Sequence, residues 1–264
     1  MPLKEGTLQF DNKKVDYIKF GTGKRIMVLI PGMSFNPLKG TGLYASKKYQ
    51  LFSNEFTVYL IDKIRKIPKN YTNVDISEDY AKAFEMLNIK DAYVLAISHG
   101  GVISEYLAIN HPELIKKLVL GVTLAYNNDT FEKAVHHWLK LAKDNKQGEL
   151  IVDTLRKTRS DEYNLRFDRL YPLIEKFSNH FKLSKYISLL EASISEFPND
   201  RIRFIKCPVL VLGGMKDKIV TAEASYQIAR KLKCPIHMYE DLGHSAYNET
   251  KDFNMKVLEF FNIM

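Results

Sequence analysis

Three residues in this 264-residue chain stand out for the chemistry they could do together: Ser98, Asp217 and His244. Each follows an apolar run. Ser98 sits in Ala96-Ile97-Ser98-His99-Gly100-Gly101, Asp217 in Gly213-Gly214-Met215-Lys216-Asp217-Lys218-Ile219-Val220, and His244 in Asp241-Leu242-Gly243-His244-Ser245. A hydroxyl, an imidazole and a carboxylate in one hydrogen-bonded row perform nucleophilic acyl chemistry. The imidazole takes the hydroxyl proton as the oxygen attacks a carbonyl, and the carboxylate fixes the imidazole tautomer. The stretch around Ser98 is close to the elbow pattern G-x-S-x-G, with Ala96 in the first glycine position. That pattern needs small residues two before and two after the serine, because strand and helix approach each other closely there.

Each residue also has a structural reading. A serine after a strand is often a helix N-cap, and Asp217 could be a solvated acid between Lys216 and Lys218. Among the other histidines, His111 precedes a proline, His136, His137 and His180 fall in a helical stretch, and His237 lies within a strand pattern. His99 adjoins Ser98 and is the main competitor as base, but the helix start should carry its ring away from the serine. Pro31-Gly32-Met33, after another apolar run, reads as an ordinary turn or as a loop presenting a backbone N–H. In the second case Met33 and His99 supply the two N–H groups of an oxyanion hole.

Six apolar runs read as strands: Arg25–Ile30, Phe56–Ile61, Ala92–Ile97, Leu118–Val122, Val209–Leu212 and Ile236–Tyr239. Such runs fit strands covered on both faces, as in a parallel sheet. Thr7–Phe10 and Val15–Phe20 add two strands joined by a polar turn. Helical spacing marks Asp75–Leu87, Val102–Ile109, Thr221–Leu232 and Asn248–Phe261. Alternation of the two patterns predicts an α/β fold, a mostly parallel central sheet of about eight strands flanked by helices. The exception is residues 123–198, which show helical periods and no clear strand. They are expected to form a helical cap inserted into a core made of residues 1–122 and 199–264.

Composition narrows the function classes. Hydrophobic residues at 45% and charged residues at 27% suit a globular chain with a sizeable core. The net charge of +8, from 39 Lys plus Arg against 31 Asp plus Glu, is scattered as Lys beside acids. Pairs such as Lys13-Lys14, Lys47-Lys48 and Lys116-Lys117 read as solvated faces, so no nucleic-acid partner is expected. Cys207 and Cys234 both precede prolines at strand starts and carry no metal-binding spacing. No secretory leader or membrane-length apolar stretch is evident, and a cytoplasmic location without membrane insertion is expected.

With these motifs in place the chain resembles the α/β-hydrolase fold family, in the branch of serine hydrolases with a helical cap. The order Ser98, Asp217, His244 is similar to the family's Ser…Asp…His order. Asp62-Lys63-Ile64-Arg65 also resembles the family's D-x-R segment. The chain departs from the pattern with Pro31-Gly32 where many members have His-Gly, and with Ala96 in the elbow. A serine at the elbow, not an aspartate, argues against the haloalkane dehalogenase and epoxide hydrolase branches. The resemblance implies two-step transfer of an acyl group from a small-molecule ester through an acyl-enzyme, with no cofactor or metal. It leaves open an acyltransferase, a C–C bond hydrolase, or a ligand-binding receptor without turnover. Oligomeric state is not readable. Trp138, Phe131, Phe167, Tyr163, Tyr171 and Leu170 are expected either to line an apolar substrate pocket or to pack the cap helices. Arg156, Arg159, Arg166 and Arg169 read as a solvated helix face or a carboxylate site.

Overall fold

A computed structural model describes residues 3–178 and 182–263. His180, one of the helical-stretch histidines, lies outside the described residues. Eight strands form one sheet: β1 (Lys4–Phe10), β2 (Lys13–Phe20), β3 (Arg25–Ile30), β4 (Phe56–Ile61), β5 (Ala92–Ile97), β6 (Ile115–Gly121), β7 (Val209–Gly214) and β8 (Ile236–Tyr239). The helices are α1 (Gly42–Lys48), α2 (Asn73–Met86), α3 (His99–Asn110), α4 (Asp129–Lys143), α5 (Gln147–Thr158), α6 (Asp161–Phe167), α7 (Tyr171–Phe177), α8 (Ser184–Ser193), α9 (Ala222–Leu232), α10 (Ala246–Glu249) and α11 (Asp252–Asn262). The strand order is β1-β2-β4-β3-β5-β6-β7-β8. β1 and β2 pair antiparallel, as do β2 and β4; the remaining pairings are parallel. The carboxyl ends of β3 to β8 therefore share one edge, where open α/β sheets bind ligands.

Successive strand side chains point to opposite faces, and both faces are covered. Val28, Ile30, Val94, Ala96, Leu118 and Leu120 pack with Tyr80, Phe84, Ile103, Leu107 and Ile228. Their chain neighbours Met27, Leu29, Tyr93, Leu95 and Val119 pack with Phe56, Phe253, Val257 and Phe261 on the other face. All six residues of β5 are buried, which makes this strand the central support for Ser98 at its end. Full burial of one such side chain contributes roughly 1.5–3 kcal/mol.

Between β6 and β7 the chain forms α4 to α8 and no strand among the described residues. Phe131, Trp138, Leu150 and Leu190 from these helices pack on Leu124, Ile219 and Val220 at the carboxyl edge of the sheet. Several element ends differ from expectation. The last helix is broken: Thr250 is extended, and its hydroxyl accepts the Asp252 N–H at 3.2 Å, so α11 starts afresh. β6 stops before Val122, whose φ of +45° cannot continue a strand. Thr221 stands at the start of α9 but makes no side-chain cap. Lys13 is not a solvated charge either, since it bonds Asp79 at 2.7 Å and the Tyr71 hydroxyl at 2.9 Å.

Candidate active site

Ser98 forms the junction of β5 and α3 with φ +54° and ψ −124°. A non-glycine residue held there costs roughly 1–3 kcal/mol and needs surrounding structure to impose it. Its N–H donates to the Gly121 carbonyl at 2.9 Å. Its carbonyl accepts from the Gly101 N–H at 2.7 Å and the Thr123 hydroxyl at 2.8 Å. The turn also requires glycine at position 100, where a Cβ would lie 2.2 Å from the Ile30 carbonyl oxygen. Ala96 is tolerated because it is fully buried in β5 and its methyl belongs to the core.

The other two side chains arrive from the ends of β7 and β8. His244 Nε2 lies 2.9 Å from Ser98 Oγ, and His244 Nδ1 lies 2.9 Å from Asp217 Oδ2. The other oxygen of Asp217 accepts the N–H groups of Ile219 at 2.8 Å and Val220 at 3.0 Å. A carboxylate has no proton to donate, so Nδ1 carries the ring hydrogen and the Nε2 lone pair faces Ser98; this tautomer follows from the bonding pattern. Asp217 and His244 are both buried. Their loops are joined by the Lys216 N–H, which donates to the Leu242 carbonyl, and the His244 loop is tied to α5 by the Ser245 N–H, which donates to the Thr158 carbonyl. With these distances the imidazole can take a proton from Oγ and pass it on.

Gly32 lies against the serine, where a Cβ would come within 3.2 Å of Ser98 Cβ and 3.7 Å of Oγ. The Met33 N–H follows it and makes no hydrogen bond among the described residues. The His99 N–H opens α3, and the first turn of a helix leaves its N–H groups without intrahelical acceptors. Two such donors in the segments that flank Ser98 suit a developing negative charge.

The His99 ring is turned away from Ser98 and buried. Its Nε2 meets Asn73 Oδ1 at 2.7 Å, and Asn73 Nδ2 donates to the Glu196 carbonyl, which fixes the amide so that Nε2 is the donor. Burial, with the nearby Lys63 charge, pushes His99 well below the usual histidine range. It is therefore neutral and already engaged.

The six aromatic and aliphatic pocket candidates lie on α4, α6 and α7 or in the turn between α6 and α7. Trp138 and Phe131 are buried in helix packing; Trp138 donates to Asp153 and Phe131 meets Phe197 edge-on. Tyr171 is buried and bonded to Asn164, Tyr163 packs on Phe167, and Leu170 is exposed. Of the arginines, Arg156 pairs with Asp168, while Arg159 and Arg166 lie over Tyr163 and Phe167. A cleft of about 740 Å³ opens beside the Met33 loop. It is lined by Ser34, Phe35, Asn36 and Pro37, by Asp62 and Arg65, and by Lys185 and Tyr186 of α8, with Asp16, Lys39 and Lys182 completing it. The D-x-R segment is thus part of its wall. Arg65 holds Asp16 through two bonds at 2.7 and 2.8 Å. Burial pushes the Asp16 carboxyl up, but the bonds from Arg65 and Thr7 outweigh it and hold it low. Sequence reasoning assigned no role to Lys63, Asn73, Thr123 or the strained Val122, because what they do depends on contacts with distant segments and not on their neighbours in sequence.

No group of three or more His, Cys, Asp or Glu side chains among the described residues could hold a metal ion. No helix among them is long and apolar enough to cross a membrane. Cys207 and Cys234 are free thiols that burial pushes up to about 11.

Known proteins share this architecture. The sequence model of the alpha/beta hydrolase fold matches residues 60–249. The chain is 25% identical, over 263 residues, to a 2-hydroxy-6-oxononadienedioate/2-hydroxy-6-oxononatrienedioate hydrolase of Escherichia coli O139:H28 (strain E24377A / ETEC), covering 94% of this chain and 90% of the relative. Among solved structures it is similar to MGS-M2, an alpha/beta hydrolase enzyme from a Medee basin deep-sea metagenome library. The TM-score is 0.85 at 20% identity, covering 98% of each chain. The enol-lactonase from Burkholderia xenovorans LB400 gives a TM-score of 0.82 at 18% identity, covering 98% of this chain and 100% of the other.

Proposed function

The chain belongs to the alpha/beta hydrolase fold family, and from that premise we propose that it hydrolyses a carboxylic ester or related acyl compound through an acyl-enzyme on Ser98. The observation that carries the reading is the unbroken row Asp217–His244–Ser98, with both contacts at 2.9 Å, ending beside Gly32. Ser98 Oγ attacks the carbonyl carbon while His244 Nε2 takes its proton. The carbonyl oxygen becomes an oxyanion held by the Met33 and His99 N–H groups. The imidazolium, stabilised by Asp217, then gives its proton to the departing alcohol. Water repeats the sequence through His244, releasing the acid and freeing Ser98.

Within this reading residues 1–122 and 199–264 are the catalytic core, and residues 123–198 are a cap that sets substrate choice. A panel of esters, thioesters, lactones and amides tests the proposal. A covalent adduct on the Ser98 peptide, trapped from an ester and seen by mass spectrometry, supports it. Turnover of the panel with no such adduct removes it. Added alcohol or amine that diverts product from free acid would make the protein an acyltransferase.

A second reading, a C–C bond hydrolase, is favoured by the relative from Escherichia coli and by the cleft beside Met33. There Lys39, Arg65, Lys182 and Lys185 stand against Asp16 and Asp62, a positive balance suited to a substrate carboxylate. Cleavage of a 2-hydroxy-6-oxo-dienedioate faster than of simple esters selects it.

A further inference from the structure

Lysines are almost never fully buried without a paired charge, yet Lys63 is only 1% exposed. It follows β4 and reaches beneath the loop that carries Met33. Its Nζ donates to the Pro31 carbonyl at 2.6 Å and to the Gly32 carbonyl at 3.1 Å. The neighbouring carboxylate is engaged elsewhere: Asp62 accepts the Lys63 backbone N–H on one oxygen and Lys185 on the other. Burial pushes the Lys63 ammonium down to about 7, with Asp62 opposing and Lys185 adding to the shift. A neutral amine still has two N–H donors, one for each carbonyl.

The consequence lies in peptide geometry. In a trans peptide the C=O of one residue and the N–H of the next point in opposite directions, and the chain has no cis peptide among the described residues. Fixing the Gly32 carbonyl toward Lys63 therefore fixes the Met33 N–H on the opposite side. Gly32 itself abuts Ser98. We propose that Lys63 is a positioning residue for the oxyanion hole: it grips the Pro31 and Gly32 carbonyls and so aims the Met33 N–H at the oxygen that gains charge beside Ser98. The inference rests on the serine-hydrolase reading and deepens it.

The test is Lys63→Met, which keeps an unbranched apolar side chain out to the ε position and removes the donors. With active sites counted by fluorophosphonate titration, kcat on an ester should fall by about 10²-fold, the scale of one lost oxyanion donor. KM should stay within about threefold, because ground-state binding is untouched. Affinity for phenylboronic acid, whose Ser98 adduct is tetrahedral and anionic, should fall in parallel with kcat. A lysine that serves stability alone would lower the melting temperature and leave kcat per active site and boronate affinity at wild-type values, which overturns the proposal. If Lys63→Met does not fold, the wild-type protein decides: the Met33 amide proton must move downfield when the boronate adds, and no movement overturns the proposal. Ser98→Ala separates the two levels. An inactive Ser98→Ala with a fully active Lys63→Met rejects the role of Lys63 alone, while an active Ser98→Ala rejects the reading beneath it as well.

Discussion

Asp217→Asn isolates the part of the site that depends on a single proton. The substitution keeps the shape of the side chain. In the native protein one carboxylate oxygen is committed to the N–H groups of Ile219 and Val220, at 2.8 and 3.0 Å. An NH2 group cannot sit there, since it would face two donors. The carboxamide must place its oxygen in that position and turn its NH2 toward His244 Nδ1. His244 then accepts at Nδ1 and carries its proton on Nε2, which faces Ser98 Oγ with no lone pair to take a proton. The expected loss in kcat is about 10⁴-fold, the size known for such a forced tautomer, or about 5.5 kcal/mol of transition-state stabilisation. Stability should change by less than about 1 kcal/mol, because shape and backbone bonds are retained. The assay is pre-steady-state release of p-nitrophenol from a short-chain ester, with melting temperature followed alongside. A variant that acylates within tenfold of wild type would refute the orientation assigned to His244.

Further outcomes rest on the same contacts. Gly100→Ala should cost roughly 1–3 kcal/mol in stability by overpacking and lower kcat by about 10²-fold as α3 moves away from the Met33 loop. Its new Cβ would lie 2.2 Å from the Ile30 carbonyl oxygen and 2.8 Å from that of Pro31. By contrast Ala96→Gly, which restores the missing elbow glycine, should leave kcat within about threefold and cost about 0.5–1 kcal/mol in urea unfolding. Glu105 is fully buried on α3, neither carboxylate oxygen has a hydrogen-bond partner among the described residues, and burial pushes it well above the usual carboxylate range. A raised folded-state value means that its contribution is favourable at acid pH and lost as pH rises above the unfolded value near 4.3. Glu105→Gln should therefore match wild type near pH 4 and be more stable by about 1–3 kcal/mol at pH 8; equal melting temperatures at pH 8 would contradict this.

Much of the scaffold was legible because buried parallel strands leave continuous apolar runs. The bounds of β3, β4, β5 and β8 coincide with the runs Arg25–Ile30, Phe56–Ile61, Ala92–Ile97 and Ile236–Tyr239. Edge structure was less legible. Lys4–Gly6 extend β1 by pairing with Lys19, Ile18 and Tyr17, and residues with a solvated face leave little apolar signal. Ser98 could be read as a candidate because it stands directly after such a run, and Asp217 and His244 because they lie in the loops that follow two others; the fold brings the ends of all three runs to one edge. Lys63 and Asn73 could not be read, since their roles arise from contacts with Pro31, Gly32 and His99, tens of residues away. The aromatics of α4 to α7 were ambiguous for a related reason. Large apolar side chains at helical spacing fill helix contacts first, as Trp138 and Phe131 do, and composition does not reveal which of them face a cavity. The cleft beside Met33 is built mainly from loop residues and lysines, which in sequence resemble ordinary surface.

The central claim is that Ser98 is the nucleophile, and Ser98→Ala tests it most directly. Hydrolysis of a short p-nitrophenyl ester by the purified variant is compared with wild type, with circular dichroism and melting temperature recorded on the same samples. The account predicts turnover lowered by about 10⁴-fold or more in a protein that stays folded. A folded Ser98→Ala protein that hydrolyses the ester within tenfold of the wild-type rate would contradict it.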